Sequence, residues 1–575
     1  MSHLTFSSLR CGYKSAEAGL IFRHLGRIYS TPRLAERQLL STICSSIKPP
    51  GGASPSSILQ IRATAIKMWI IYLALAAVVL RLLYGIYSIL TDPLRDIPGP
   101  FPARFTKLWY LSNIYTGSHE RHAIALHRKH ARPGEHFAPI VRLAPDMYSI
   151  KSPDKAVYGI GSKMPKNAWY EGWKHPSPDR WTVFTDRNIK RHAESRRVYA
   201  GLYAMSALLS YEAYVDDCAD VFARRLKEMA GGQAVDMGHW LQCYAFDVIG
   251  AITYGKRFGF LDEGRDLGDT MGALDRSMLY STLVGVYAWL HPYLYPILER
   301  IPSSGAAGRA YLMRFASAAL AQRRGERAQG KRPEKAQDEP EDFVDKMLDM
   351  QEVKEVVTDY HVFALTMSNI VAGSDTTALS LSSVLYHLIR TPGVLGKLRE
   401  EIEEHVREGK CSPERVTFKA SQEMPYLQAC IKEGLRLHPG TGLPLWRVVN
   451  EGGATISGRY FPEGAEVGIN TWVAHYDADI WGSNVEVFRP ERWLEADAEQ
   501  LKVMEAHYIP FGLGSRTCIG RHIGHLEMSK LLPLIVDAFD FELETPGRRW
   551  KTMNLWFVKP VDFSVRIKAR WRGKV

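Results

Sequence analysis

The segment at 511–520, FGLGSRTCIG, combines residue types that could bind a metal ion through a single sulfur. Cys518 begins an apolar helical run and lies close to Arg516. A helix N-terminus and a nearby cation both favour a thiolate, so the sequence predicts a lowered pKa for Cys518. The glycines let the backbone approach a flat ligand closely. Since no second cysteine or histidine follows at metal-ligand spacing, the thiolate would be a lone ligand. A nucleophilic cysteine, assisted by His522 or His525, is the alternative.

The run at 360–389 carries a second set of reactive side chains. As a helix it would be about 45 Å long, enough to cross a whole domain. Asp375 is its only Asp, Glu, Lys or Arg, and a charge in such a helix is costly to bury without a partner or a role. Gly373 weakens the helix by about 1 kcal/mol relative to alanine and is expected to leave room for a ligand. Asp375 and Thr376 offer a proton source and a hydroxyl, and a polar patch satisfied by neighbouring backbone is the alternative.

Two further motifs place charges at regular spacing. Glu433 and Arg436 are three residues apart, which puts them on one helix face. The segment FRPERW at 488–493 contributes Arg492. If Arg492 reaches Glu433, the three charges brace two segments that are distant in the sequence. An exposed pair of this kind contributes only about 0.3–0.5 kcal/mol, so a simple surface pair is the other interpretation.

The elements that must position these residues are mainly helical. The sequence has no internal repeat, and the body is predicted to be one mainly α domain with small β-sheets. The charged stretch at 323–342 is predicted to be an exposed loop between two helices. Amphipathic runs lie at 189–230, 233–255, 308–329, 341–352, 359–390, 394–408, 421–437 and 519–538, and strand-like pieces lie at 137–150, 454–470 and 550–570.

The N-terminal part is organised differently. Residues 1–67 form a basic, Ser-rich leader that is predicted to be disordered or absent from the mature protein. Residues 68–90 are mostly apolar, with Arg81 as the one charge, and are long enough for a transmembrane helix. Residues 91–102 form a proline-rich hinge that is expected to be stiff and non-helical. Residues 103–575 form the body.

Composition excludes several classes of protein. The net charge is +11, but residues 1–67 hold nine Lys and Arg against two Asp and Glu. The body is therefore close to neutral, and no nucleic-acid-binding surface is indicated. The seven cysteines include no C-x-x-C pair, which argues against a zinc ribbon or a disulfide scaffold.

Together these motifs resemble the cytochrome P450 family of haem-thiolate monooxygenases. FGLGSRTCIG resembles the haem-binding loop, AGSDTT at 372–377 the oxygen-activating helix, and Glu433-x-x-Arg436 with FRPERW the structural charge network. The anchor and hinge resemble microsomal members, and the C-terminal part is most similar to fungal secondary-metabolism enzymes of the pisatin demethylase group. The resemblance covers 68–575 and implies a single haem domain of the cytochrome P450 fold behind an N-terminal transmembrane anchor.

The resemblance implies a role for each matched residue. Thr376 and Asp375 would handle dioxygen and protons. Glu433, Arg436 and Arg492 would be structural. The implied haem contacts are Cys518 as the axial iron ligand, Phe511 in the same loop, Arg516, Arg196 and Arg447 toward the propionates, and His192 where the family usually has tryptophan.

The implied reaction inserts one oxygen atom from O2 into a lipophilic small molecule, such as a terpenoid, polyketide or indole alkaloid. Electrons would come from NADPH through a separate NADPH-cytochrome P450 reductase. The expected location is the endoplasmic reticulum membrane, with one span and a cytosolic body, and the basic leader makes mitochondria the alternative. A haem-thiolate isomerase or dehydratase that does not use O2, and a non-enzymatic haem binder, are the other candidate functions. The Asp375–Thr376 pair favours the monooxygenase.

Five apolar or aromatic segments are expected to line the substrate pocket. For each aromatic cluster, core packing is the alternative. The segment at 280–297 could instead dip into a membrane. The five are 169–184, 280–297, 370–376, 441–445 and 554–557.

Overall fold

The computed structural model describes residues 55–329, 341–412 and 414–570. The helices are Pro55–Thr91 (α1), Leu108–Tyr115 (α2), His119–Lys129 (α3), Lys155–Tyr158 (α4), Ile189–Ala200 (α5), Met205–Leu208 (α6), Glu212–Met229 (α7), Met237–Tyr254 (α8), Phe260–Glu263 (α9), Thr270–Val286 (α10), His291–Leu298 (α11), Gly305–Ala328 (α12), Phe343–Val353 (α13), Asp359–Arg390 (α14), Pro392–Arg407 (α15), Phe418–Gln422 (α16), Pro425–Leu437 (α17), Thr471–His475 (α18), Ala478–Trp481 (α19), Arg492–Glu495 (α20), Ala498–His507 (α21) and Arg521–Ala538 (α22). The strands are Ile140–Ala144 (β1), Met147–Ile150 (β2), Val235–Asp236 (β3), Arg447–Val448 (β4), Ala454–Ile456 (β5), Arg459–Phe461 (β6), Glu466–Ile469 (β7), Phe539–Leu543 (β8), Thr552–Asn554 (β9), Val558–Pro560 (β10) and Ser564–Ala569 (β11).

Helix α1 begins at Pro55, within the segment that the sequence assigned to the leader. The chain divides into two compact units, Met1–Leu90 and Thr91–Val575. Residues 1–54 lie outside the described part. Among the described residues, no helix is both long enough and apolar enough to cross a bilayer, so the transmembrane anchor predicted at 68–90 is not supported.

Helix α14 passes through the centre of the body over the range that the sequence pattern predicted. Its start is fixed by a capping box, in which the Thr358 and His361 side chains each accept a hydrogen bond from the other residue's backbone N–H. The helix packs along α8, where a Cβ on Gly373 would lie 2.9 Å from Ile249 Cδ1. Gly373 is therefore required by helix packing and does not, as the sequence suggested, leave room for a ligand.

Small sheets flank the helices. A four-stranded sheet has the order β1-β2-β7-β4, with β2 and β7 parallel and the other neighbours antiparallel. A three-stranded antiparallel sheet has the order β3-β11-β8. Strand pairs β5–β6 and β9–β10 are antiparallel. The four-stranded sheet packs on its own small core, which contains Ile150, Phe461 and Val467.

The proline-rich segment is attached to this sheet through Arg142 of β1. The Arg142 guanidinium donates to the Leu94 carbonyl oxygen at 2.7 Å and pairs with the Asp92 carboxylate at 2.5 Å. A Cβ on Gly99 would lie 2.4 Å from the Arg142 carbonyl oxygen, so only glycine fits there. The segment differs from the expected non-helical connector at Phe101–Arg104, which form a 3₁₀ turn.

The charged stretch at 323–342 is only partly the exposed loop that the sequence predicted. Helix α12 extends into it, and Arg323 is buried. The Arg323 guanidinium pairs with Asp342 at 3.0 Å and with Asp345 at 2.5 Å. Because two carboxylates neutralise the buried cation, both ends of the stretch are fixed to the body. Residues 330–340 lie outside the described part.

Candidate active site

The cysteine loop between α21 and α22 needs its glycines. Gly512 and Gly514 have φ angles of +72° and +59°, which side-chain-bearing residues rarely adopt. A Cβ on Gly514 would lie 2.0 Å from the Tyr158 carbonyl oxygen, so the loop rests directly on the backbone of another segment. The Cys518 N–H donates to the Phe511 carbonyl oxygen at 2.8 Å, and this bond closes the loop just before α22.

The Cys518 sulfur is uncovered on one side, although the protein surrounds it closely elsewhere. Burial raises the pKa of the thiol above its ordinary value. The N–H groups of Gly520 and Arg521 and the charges of Arg196 and Arg521 lower that pKa without outweighing burial. The lowered pKa predicted from the helix N-terminus and Arg516 is therefore wrong, because desolvation is the larger contribution. A thiolate here requires a metal ion, which deprotonates the thiol that coordinates it.

Glu433, fully buried in α17, accepts hydrogen bonds from four residues. Arg436 donates to its two oxygens at 2.9 and 2.8 Å. The Arg492 guanidinium donates at 3.2 Å and the Trp493 indole N–H at 3.0 Å. The Arg489 backbone N–H donates at 3.3 Å. The structure therefore brings together the three charges that the sequence singled out, and it buries them in the core.

His475 connects this charge network to the cysteine loop. Arg436 donates to the His475 carbonyl oxygen at 2.9 Å, and His475 Nδ1 donates to the Arg436 carbonyl oxygen at 3.1 Å. His475 Nε2 accepts the Ile509 backbone N–H at 2.9 Å. Ile509 is two residues before Phe511, so the buried charges support the start of the loop. No pattern in the sequence pointed to His475.

Thr376 lies on a patch of α14 that the protein does not cover. Its hydroxyl donates to the Ala372 carbonyl oxygen at 2.6 Å, and Ala372 is exposed. Ser374 and Thr377 are buried, so the uncovered face of the helix is narrow at this point. A Cβ on Gly524 of α22 would lie 3.6 Å from Thr377 Oγ1. The helix that follows Cys518 therefore contacts α14 beside Thr376.

Asp375 faces the protein and not that patch. Lys559 Nζ of β10 lies 3.0 Å from Asp375 Oδ2 and 2.6 Å from Asp275 Oδ1 of α10. The Gln242 amide donates to Asp375 Oδ1 at 2.5 Å. Burial raises the pKa of Asp375, and Lys559 opposes that rise. The expected direct partnership of Asp375 and Thr376 is not formed, because successive helical residues point about 100° apart and Lys559 occupies the carboxylate.

A cluster of basic side chains, here called the basic cluster, lies beside the cysteine loop. Burial lowers the pKa of Arg196 and lowers that of Arg516 to about 10. His192 is buried next to them, and burial together with the surrounding cations lowers its pKa to about 3. Its imidazole is therefore neutral at physiological pH. The basic cluster consists of Lys166, Arg196, Arg447 and Arg516. Burial and the charges of Arg447 and Arg516 lower the pKa of Lys166 well below its ordinary value.

The basic cluster is poorly supplied with acceptors. A nearby carboxylate, Asp186, is held by Arg191 through two bonds of 2.8 Å. Arg516 donates to the Asp186 carbonyl oxygen at 2.8 Å, and its buried Nη2 has no partner among the described residues. Arg447 donates to the Trp446 carbonyl oxygen at 2.8 Å. This excess of buried positive charge fits a ligand that carries more than one carboxylate.

Comparison with known proteins agrees with this geometry. The family model for cytochrome P450 matches residues 147–566. The chain belongs to the cytochrome P450 family. Two pisatin demethylases of Fusarium vanettenii are 39% and 38% identical to this P450, over 85% of its chain in both cases and over 93% and 92% of theirs. A cytochrome P450 monooxygenase of Aspergillus terreus is 34% identical, over 79% of this chain and 92% of its own.

The P450 is accordingly an oxidoreductase, a haem-thiolate monooxygenase that receives its electrons from a reductase, which confirms what the motifs predicted. The side chains present fit the cofactor. The uncovered sulfur of Cys518 suits an axial ligand of iron. The basic cluster suits the two propionates, which supply the acceptors that its cations lack.

The nucleophilic alternative for Cys518 has no support in this geometry. His522 Nε2 accepts a hydrogen bond from the Arg521 guanidinium at 3.2 Å. His525 packs edge-on against Phe418, with ring centroids 6.3 Å apart. Both imidazoles are thus engaged elsewhere.

Lys166 is the member of the basic cluster that sequence reasoning missed. It is buried, and its ammonium lies 4.4 Å from the Tyr170 ring centroid and 4.6 Å from that of Phe184. It also donates to the Phe184 carbonyl oxygen. It lies three residues before the aromatic run at 169–173, and no pattern in the sequence singled it out.

Proposed function

We propose that the P450 oxygenates a lipophilic small molecule of fungal secondary metabolism, such as a terpenoid, polyketide or indole alkaloid, with electrons from NADPH through NADPH-cytochrome P450 reductase. The observation that carries the proposal is the uncovered hydroxyl of Thr376, at the level where the helix following Cys518 meets α14. Cleavage of O2 consumes protons, and a hydroxyl that the protein leaves uncovered can position and pass them. Haem, when bound, supplies the dioxygen chemistry. The relatives named pisatin demethylase and cytochrome P450 monooxygenase support this class of reaction.

We assign the following roles on this basis. Cys518 would ligate the iron of a bound haem, and the Phe511 carbonyl holds the backbone of its loop. Thr376 would handle protons, while Asp375 would act indirectly by fixing α14 to Lys559, so that the Thr376 hydroxyl stays uncovered. Glu433, Arg436 and Arg492 are structural. The propionates are held by Lys166, Arg196, Arg447 and Arg516, with neutral His192 as a further donor.

An aromatic cluster supports a lipophilic substrate. Trp169 and Trp556 have ring centroids 4.9 Å apart, and Trp173 lies 5.6 Å from Phe184. Phe184 and Trp556 are 6.0 Å apart. Two of the five expected pocket segments therefore meet in one cluster, and Phe184, which is partly exposed, presents an aromatic edge to a ligand.

Replacing Thr376 with alanine is expected to uncouple the enzyme. NADPH and O2 consumption should continue, while product formation falls by about 10²-fold or more, because a positioned proton-transfer group typically contributes that much. The missing product should appear as hydrogen peroxide. The measurement is the ratio of product to NADPH consumed, with purified P450 and reductase.

Ser382→Ala is the matched control, since the Ser382 hydroxyl makes the same kind of bond to the carbonyl oxygen four residues earlier, at 2.7 Å, but is buried in the core. It should retain coupling. Full coupling in the Thr376 variant would remove Thr376 from this role, and product formed without O2 would exclude a monooxygenase.

We further propose that the protein attaches to the endoplasmic reticulum membrane with its body in the cytosol; mitochondrial import through the basic leader is the alternative. Large apolar side chains on α1, including Trp69 and Leu80, are exposed. In the body, Trp289 and Tyr293 are 68% and 69% exposed. Exposed aromatic side chains of this kind favour the interface of a lipid bilayer.

Flotation with phosphatidylcholine vesicles tests the attachment. The full chain should float with the vesicles. A chain beginning at Thr91 should bind more weakly, and adding Trp289→Asp and Tyr293→Asp should abolish its flotation. If the full chain stays at the bottom of the gradient, the proposal of membrane attachment is wrong.

A further inference from the structure

A small cavity lies where α10, α12 and α14 meet the segment at 173–182. Its volume is about 90 Å³. Its walls are largely apolar and include Met278, Leu312 and Met367. Three basic residues also line it, and no Asp or Glu is among the lining residues. An apolar cavity with basic groups at its border is suited to an amphipathic anion.

Arg309 is the central basic residue of this cavity. It is buried, and its guanidinium donates to the carbonyl oxygens of Lys174 at 2.5 Å and Gly172 at 2.8 Å, and to the Ser281 hydroxyl. Its remaining neighbours are aromatic rings, such as that of Tyr295 at 5.8 Å. None of these groups carries a negative charge at neutral pH, so the charge of Arg309 is solvated but not neutralised.

Three other polar side chains at the cavity also donate hydrogen bonds or carry a positive charge. Arg180 is exposed and has no carboxylate partner within the described residues. Lys174 is partly neutralised by Glu171, at 3.2 Å. The indole N–H of Trp173 lines the cavity and is buried without an acceptor in the described part of the chain. The site therefore offers donors and positive charge, and no carboxylate lines it.

We propose that this cavity binds the carboxylate of a substrate whose remaining part is apolar. The inference rests on the proposed function and specifies its substrate class as lipophilic monocarboxylic acids. A carboxylate supplies the negative charge that Arg309 lacks, and the exposed guanidinium of Arg180 offers it a fork of donors. Because the walls are neutral and largely apolar, we expect the rest of the ligand to be apolar.

The position of the cavity sets where oxidation occurs. Phe363, Met367 and Val371 place it along α14, and Thr376 is five residues beyond Val371, about 8 Å along the helix. A carboxylate held at Arg309 therefore directs the apolar end of the molecule toward Thr376. Oxygenation is expected on carbons remote from the carboxylate.

Binding of dodecanoic acid and of its methyl ester to the holoenzyme tests the proposal. The two probes differ in charge but not in chain length. We expect the acid to bind about tenfold or more tightly than the ester, since a hydrogen bond to a charged group accounts for a difference of that size. The readouts are the substrate-induced shift of the haem absorption and, independently, the rise in melting temperature on binding.

Two variants locate the effect. Arg309→Gln should abolish the preference for the acid. Arg180→Gln should reduce this preference severalfold, and because Arg180 is exposed, the substitution should leave folding intact. Arg265→Gln is the control, because Arg265 is 70% exposed and pairs with Glu263 on the surface; it should leave the preference intact. Equal affinities for acid and ester in the unmodified protein, or a preference unchanged in both cavity variants, would overturn the inference.

The same samples separate this inference from the proposed function. A ferrous carbon monoxide complex with the red-shifted Soret band of sulfur ligation, together with equal acid and ester affinities, refutes only the carboxylate site. Absence of that band refutes the haem-thiolate assignment on which the site depends.

Discussion

Cys518→Ser should eliminate the red-shifted Soret band of the ferrous carbon monoxide complex and reduce monooxygenation below detection. Serine has nearly the same size, so the loop should keep its shape, which depends on the backbone bond from residue 518 to Phe511 and not on the sulfur. A hydroxyl, however, is a far weaker donor of electron density to iron than a thiolate. The effect should therefore fall on the chemistry of the site and spare the fold.

Carbon monoxide difference spectra measure the loss of sulfur ligation. Circular dichroism of the same samples measures whether the fold is retained. Cys411→Ser is the control, because Cys411 is a partly exposed cysteine remote in sequence from the loop. It should keep the band. A Cys518→Ser protein that still shows sulfur ligation would mean that another cysteine holds the metal.

Glu433→Gln is expected to have the largest effect on stability. The substitution leaves Arg436 and Arg492 buried without their counter-charge, and breaking a buried ion pair on one side costs about 3–5 kcal/mol. The total stability of a domain is about 5–15 kcal/mol. Little folded protein with bound haem should therefore accumulate, and what folds should unfold at markedly lower urea concentration.

The control is Glu505→Gln. Glu505 of α21 pairs at 3.6 Å with Lys432, which precedes Glu433 in α17. This pair lies on the surface, where an ion pair contributes about 0–1 kcal/mol to stability. Its urea midpoint should barely move. A Glu433 variant as stable as this control would show that the network does not support the fold.

The network also has a defined pH dependence. Burial alone would raise the pKa of Glu433, but Arg436 and Arg492 outweigh it and lower the pKa below its ordinary value. The stabilisation is therefore fully present above the pKa of the unfolded chain and is lost as the pH falls through the lower pKa of the folded state. Acid should unfold the protein, and mildly alkaline buffer should not affect this contribution.

The sequence predicted those features that depend on local pattern. Helix α14 has the predicted bounds because its apolar periodicity is continuous, and Thr358 ends the preceding segment with a capping side chain. The turn around Gly514 follows from residue type alone. The meeting of Glu433 with Arg492 was inferred from two charged motifs in one chain, Glu433-x-x-Arg436 and FRPERW.

The features that the sequence could not show depend on contacts between distant segments. Gly373 is required by Ile249, and Asp375 is occupied by Lys559, which comes almost two hundred residues later. The raised pKa of Cys518 arises from burial, a property of the folded loop. Lys166 was missed because a single lysine has no pattern of its own. Arg323 was assigned to an exposed loop because its carboxylate partners are separated from it in the sequence.

The imidazole of His475, which supports the start of the cysteine loop, affects how the loop responds to acid. Both ring nitrogens of His475 are in use, Nδ1 as a donor to Arg436 and Nε2 as an acceptor from Ile509, which fixes one tautomer. Burial lowers its pKa to about 3, so this support stays uncharged at neutral and mildly acidic pH. Mild acidification would therefore not loosen the cysteine loop through this histidine.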